Sequence, residues 1–222
     1  MNKTLLNYLC RATATLLILI GGALDVGADE TDDAVARQWA IVSISDNAPV
    51  KPNTVYGIKN LVVQRSFIYG ERDRGINLNW AKENQSNIII KRKSASTEPI
   101  KFGELVAIQV KDSPQKWYLK YKVRTRTVNL GWSTTPVYEW KFIGGKDDEV
   151  VTTSRGLGIY SIVEKDNLVY CKRNWGINLK WEKDMLSDGC KTYWDSVKAV
   201  VTEAGTNAIP YGGGAFIKEA IQ

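Results

Sequence analysis

The sequence predicts an all-β fold built from three copies of a four-strand unit, each copy about 50 residues long. Three observations carry this. The motif Asn-Leu-x-Trp occurs at Asn77–Trp80, Asn129–Trp132 and Asn178–Trp181, at spacings of 52 and 49 residues. Around it the apolar residues alternate with period two, the pattern of a half-buried strand. Eight Trp and ten Tyr stand against four Phe and two Met, an aromatic balance that favours strands.

The elements follow in chain order. Residues 1–28 read as a secretory signal peptide. Lys3 and Arg11 supply the positive start, Ala14–Ile20 an apolar stretch short for a membrane span, and Val26-Gly27-Ala28 the small-residue cleavage site. Export to the outside, or to a periplasm, is the expectation. Cleavage there changes the formal charge from +6 to +5, because Lys3, Arg11 and Asp25 leave together.

The repeats are expected over 37–186. A further apolar strand lies between copies, at Gln38–Val42 near the start, Asn87–Lys91 and Glu139–Ile143. Trp39 and Trp140 mark the first and third of these, and the second has no Trp. Next come strands around Tyr56-Gly57-Ile58, Ile108-Gln109-Val110 and Leu157-Gly158-Ile159. The third strands alternate at Phe67 and Tyr69, at Leu119 and Tyr121, and at Leu168 and Tyr170. The fourth carry Ile76, Leu78 and Trp80 and their counterparts on one face. Written out, the repeat is Tyr-x-x-Arg-x-x-x-[Ile/Val]-Asn-Leu-x-Trp. Trp80, Trp132 and Trp181 are therefore expected in the core.

After the third copy the pattern changes. Tyr193, Val197, Val200 and Val201 recur at helical spacing, Gly205 ends that run, and Gly212-Gly213-Gly214 precedes a last short helix over Ala215–Ile221. The tail 187–222 is expected to be helical. Cys171 and Cys190 are the two cysteines left after signal removal, and export predicts a bridge between them. Such a loop of about 20 residues contributes roughly 3 kcal/mol on the chain-entropy account.

Three four-strand units sharing one core resemble the β-trefoil superfamily. That resemblance covers about Arg37 to Glu182.

Composition excludes several chemistries. The chain has no histidine, so it offers no Ser-His-Asp triad, no histidine metal site and no histidine base. No enzyme, cofactor or metal is expected. The net charge of +6 favours acidic partners and is too small to indicate nucleic acid. No segment of the mature chain is apolar enough to cross a membrane.

Candidate functional residues lie in the hairpin turns. Asn77, Asn129 and Asn178 either hold the turn backbone or offer amides to ligand hydroxyls. Arg72, Arg124 and Arg173 either pair locally or present three guanidiniums to an anion such as a sulfated glycan. In the third copy Trp175 replaces the charged Arg74 and Arg126, and an indole beside Asn178 suits sugar stacking. Asp166 and Asn167, expected in the preceding turn, would add polar contacts. This disposition is similar to the sugar pocket of ricin-type lectins. The likeness implies a site at Asp166, Trp175 and Asn178, with Asp112 and Asn129 as the partial equivalent in the second copy. The leading expectation is an exported binding module for cell-surface or matrix glycans. A second is a protein-binding factor similar to Kunitz-type inhibitors, presenting Lys93 on the segment Lys93–Pro99. A third is a membrane-active toxin that uses its tail.

Overall fold

A computed structural model describes residues 37–73, 75–81, 85–172 and 176–187. The expected signal peptide, the helical tail from residue 188, Arg74, Arg173, Trp175 and Cys190 lie outside the described residues.

Among the described residues there are twelve strands: β1 Trp39–Val42, β2 Val55–Asn60, β3 Arg65–Tyr69, β4 Leu78–Trp80, β5 Ile88–Arg92, β6 Val106–Val110, β7 Tyr118–Tyr121, β8 Leu130–Ser133, β9 Trp140–Ile143, β10 Gly156–Ser161, β11 Asp166–Tyr170 and β12 Leu179–Trp181. All pairings are antiparallel. The chain β1–β2–β5–β6–β9–β10 returns to β1 and closes a six-stranded barrel. Closure removes the unpaired edges that an open sheet would expose.

The other six strands form three hairpins in one common register. Tyr69 faces Leu78 and Phe67 faces Trp80; Tyr121 faces Leu130 and Leu119 faces Trp132; Tyr170 faces Leu179 and Leu168 faces Trp181. The alternation read from the sequence explains this. A one-residue slip would turn Leu78, Leu130 and Leu179, all fully buried, to the outside.

At the barrel end away from the hairpins, the β1–β2, β5–β6 and β9–β10 loops lock in a ring. Val50 N donates to Val151 O at 2.9 Å, Val151 N to Ile100 O at 2.8 Å, and Ile100 N to Val50 O at 2.7 Å. All three side chains are fully buried.

The core departs from the expected arrangement in two respects. Trp181 is buried at 1% exposure, whereas Trp80 and Trp132 are half-buried and pack against the core's margin. After Trp181 the chain runs into a 3₁₀ helix, Glu182–Ser187, packed on β11 and β12; the described residues show no such helix on the other hairpins. The innermost indoles are Trp39 and Trp140. Trp39 Nε1 donates to Leu168 O at 2.6 Å and Trp140 Nε1 to Leu119 O at 2.8 Å, so each ties its own copy to a neighbouring one. Trp39 stacks on Trp80 and Trp140 on Trp181. The middle copy has Ile88 at this position, and Trp117 stacks on Trp132 from outside instead.

Candidate functional site

The residues expected to carry function fall into three places. The first is the set of hairpin turns. Asn77 Oδ1 accepts from Arg72 N at 3.4 Å and Asn129 Oδ1 from Arg124 N at 2.9 Å, so both amides close their turns. Asn129 Nδ2 lies 3.5 Å from the Tyr121 hydroxyl. Burial raises the pKa of the Tyr170 hydroxyl, partly offset by its hydrogen bond with Asn178. Arg72 Nε donates to Leu78 O at 2.6 Å and Nη2 to Asn79 Oδ1 at 3.1 Å. Arg124 Nε donates to Leu130 O at 2.5 Å, and its Nη1 reaches Gly75 O in the first copy at 3.2 Å. The repeated Arg and Asn thus build the turns. A guanidinium has five N–H groups, and each of these two spends two of them on the protein.

The second place is the start of β11. Asp166 and Asn167 belong to the strand, not to the turn before it. Asp166 Oδ1 accepts from Asn167 N at 2.8 Å, and Oδ2 from Lys183 N at 3.0 Å, which fastens the 3₁₀ helix. Asn167 Nδ2 donates to Glu182 at 2.6 Å. Asp166 sits at the end of the hairpin remote from Asn178. Four residues along β11 separate it from Tyr170, about 13 Å at strand rise. The convergence of Asp166 with Asn178 expected from the lectin likeness is therefore not formed. In the second copy Asp112 is exposed in the β6–β7 turn, likewise across the hairpin from Asn129.

The third place was approached from the sequence only through Lys93. Arg92, the last residue of β5, spends every N–H it has. Nε donates to Glu104 Oε1 at 2.5 Å and Nη2 to Oε2 at 2.7 Å. Nη1 donates to Ser96 Oγ and Glu98 O, both at 3.0 Å, and Nη2 also to Pro99 O at 2.9 Å. Ser96 Oγ in turn accepts from Glu98 N at 3.2 Å. The loop 93–99 is therefore wrapped round a guanidinium, with Lys93 to Glu98 all exposed. The Glu104 bond raises the Arg92 pKa further. Burial opposes ionisation of Glu104, yet the Arg92 fork and the Lys101 N–H together hold its carboxyl below the ordinary range. Beside the loop lies an open cavity of about 730 Å³, lined in part by Ser94, Ser96, Glu98, Lys101 and Lys141. Its floor includes Phe102, covered by the Arg155 guanidinium at 4.9 Å from the ring centroid.

Sequence reasoning missed Arg92 because its role depends on five acceptors, three of them in the aperiodic loop 93–99 and two on Glu104. It also missed the residue preceding each inner indole. Gln38 Oε1 accepts from Tyr170 N at 2.5 Å, and Glu139 Oε1 accepts from Tyr121 N, each stapling a neighbouring hairpin. Asn87 holds the same position in the middle copy, at 1% exposure, and among the described residues neither its Oδ1 nor its Nδ2 has a partner. Its side chain is one methylene shorter.

Among the described residues, no group of His, Cys, Asp and Glu could hold a metal ion, and no helix is long and apolar enough to cross a membrane. Cys171 is buried, and its expected partner lies outside the described residues. The chain matches no protein-family description, no curated protein and no solved structure.

Proposed function

We propose that this chain is an exported, non-enzymatic binding module of the β-trefoil class that docks on a partner protein through the loop 93–99. The trefoil reading is supported by the closed barrel, the three hairpins in one register and the ring of Val50, Ile100 and Val151. The observation that carries the docking reading is the Arg92 guanidinium, whose five N–H groups are all committed to Glu104 and to the loop. A loop ordered before binding avoids the entropy cost of being ordered by its partner. Rigid convex loops fit concave partners, and the cleft of a Lys-accepting serine protease is the partner class that Lys93 implies.

The test is an inhibition panel of secreted Lys-specific proteases with three proteins: wild type, Lys93→Ala and Arg92→Lys. Wild type should inhibit. Lys93→Ala should not. Arg92→Lys keeps the charge and loses the fork, so its amides at 94–98 should exchange faster with solvent and its inhibition should weaken at least tenfold. A wild-type chain that inhibits none of the panel rejects the protease partner. Slow, unchanged amide exchange in Arg92→Lys rejects the guanidinium as the source of order. A second reading, recognition of cell-surface glycans, is favoured by the cations on the hairpin turns.

A further inference from the structure

The three hairpin turns meet at one point. Gly75, Thr127 and Gly176 hold the same place in the repeat, two residues before the Asn. A Cβ on Gly75 would lie 3.4 Å from the Thr127 methyl, and one on Gly176 would lie 3.9 Å from it. Both glycines have positive φ, at 92° and 80°, so the turns bend inward where a side chain would be strained. Arg124 ties the second turn to the first through Gly75 O. The Thr127 hydroxyl, buried at this junction, has no hydrogen-bond partner among the described residues.

Charge gathers on the same surface. The described residues of the turns carry five cations, Arg72, Lys122, Arg124, Arg126 and Lys172, against two carboxylates, Glu71 and Asp73. Their net charge is +3. Among the described residues, no carboxylate is within ion-pair distance of Arg72, Lys122, Arg124 or Lys172. Lys122 and Lys172 are exposed. Arg72 and Arg124 are fixed by the turn backbone and keep three N–H groups each for something outside.

We propose that this axial face, at the opposite end of the barrel from the loop 93–99, binds sulfated glycans. Sulfate offers three acceptor oxygens to a guanidinium held in place, and fixed arginines lose little entropy in taking it. Several sulfates along one chain match several cations spaced round an axis. A nucleic acid fits less well, because a formal charge of +6 over the whole chain is too small to indicate one. The site is independent of protein docking at the other end, and each can hold without the other.

The experiment is titration of the full exported chain with a heparin-like oligosaccharide, its chemically desulfated form and a single-stranded oligonucleotide of equal charge, at two salt concentrations. The variants are Lys122→Glu with Lys172→Glu, and, as a control of equal charge change on the opposite loops, Lys51→Glu with Lys146→Glu. The sulfated sugar should bind, with affinity falling as salt rises. The desulfated sugar should bind at least tenfold more weakly. The turn variant should lose at least tenfold at unchanged melting temperature, and the control variant less than threefold. Equal loss in both variants would mean net charge alone acts, and would overturn the site. Equal or tighter binding of the oligonucleotide would overturn the ligand class. No binding of the sulfated sugar by wild type would overturn both.

Discussion

Replacing Glu139 by Gln should stabilise the protein, and only above the pH at which the carboxyl ionises. Glu139 is 8% exposed, and its Oε1 accepts from Tyr121 N. Burial raises its pKa, with the Tyr121 N–H and the Lys120 charge opposing in part. The folded state therefore binds this proton more tightly than the unfolded chain. Between the unfolded and the folded pKa the native state holds more protons, so stability falls as pH rises through that window and stays lower above it. Below the window the group is neutral in both states and the penalty is absent. Gln has no proton to lose. The first copy shows that the exchange is sterically sound, because Gln38 makes the same staple to Tyr170 N. Removing a desolvated charge while keeping the acceptor should gain on the order of 1 kcal/mol above the window, the usual size of a single-site effect. In a chain of this size that is roughly 2–4 °C in Tm. Urea unfolding of both proteins in steps from pH 4 to pH 8 measures it. The two curves should converge at the acid end and separate with rising pH. A difference that is constant across the range, or a variant less stable at pH 8, refutes the reasoning. The reverse change, Gln38→Glu, should create the same pH dependence in the first copy.

Asn87→Gln should add about 1 kcal/mol by giving the middle copy the reach of Gln38 and satisfying a buried amide; chemical denaturation at neutral pH reads it, and a loss would show that the gap is closed by something else. Gly57→Ala should cost at least 2 kcal/mol or prevent folding, since its Cβ would lie 2.5 Å from the Gln85 carbonyl oxygen and 2.8 Å from Val42 Cγ2; wild-type stability in that variant would refute the packing. Acidification should release the loop 93–99. The Glu104 carboxyl is held below the ordinary range, so its contribution is present above the unfolded pKa and is lost as pH falls through the folded one. Amide exchange at 94–98, corrected for intrinsic rates, should speed up at the acid end before the barrel amides do, and simultaneous loss of both would deny the loop its separate lock.

Particular residues show where a sequence is readable. The strand containing Leu78 and Trp80 was legible because inward and outward residues alternate within three positions. Its pairing with Tyr69 was legible because the same Tyr-to-Asn distance recurs three times. Arg92 was not legible. Nothing distinguishes it from Lys91 or Lys93 until Glu104, Ser96 and two loop carbonyls are seen round it. Asp166 was misplaced for a related reason. The likeness to the ricin-type sugar pocket put it in one site with Asn178, whereas a hairpin sends two such residues to opposite ends of its strands.

The sequence by itself determined the all-β class, the threefold recurrence of the motif and the strand faces. Each of these follows from periodicity within a few residues, or from matching one copy against another. Only the tertiary structure decided barrel closure, the staples from Gln38 and Glu139, the unfilled position at Asn87, the meeting of Gly75, Thr127 and Gly176, and the pinning of the loop by Arg92. These depend on groups distant along the chain, or on acceptors in aperiodic loops. Their free energy comes from complementary positions in space, and local alternation carries no record of it.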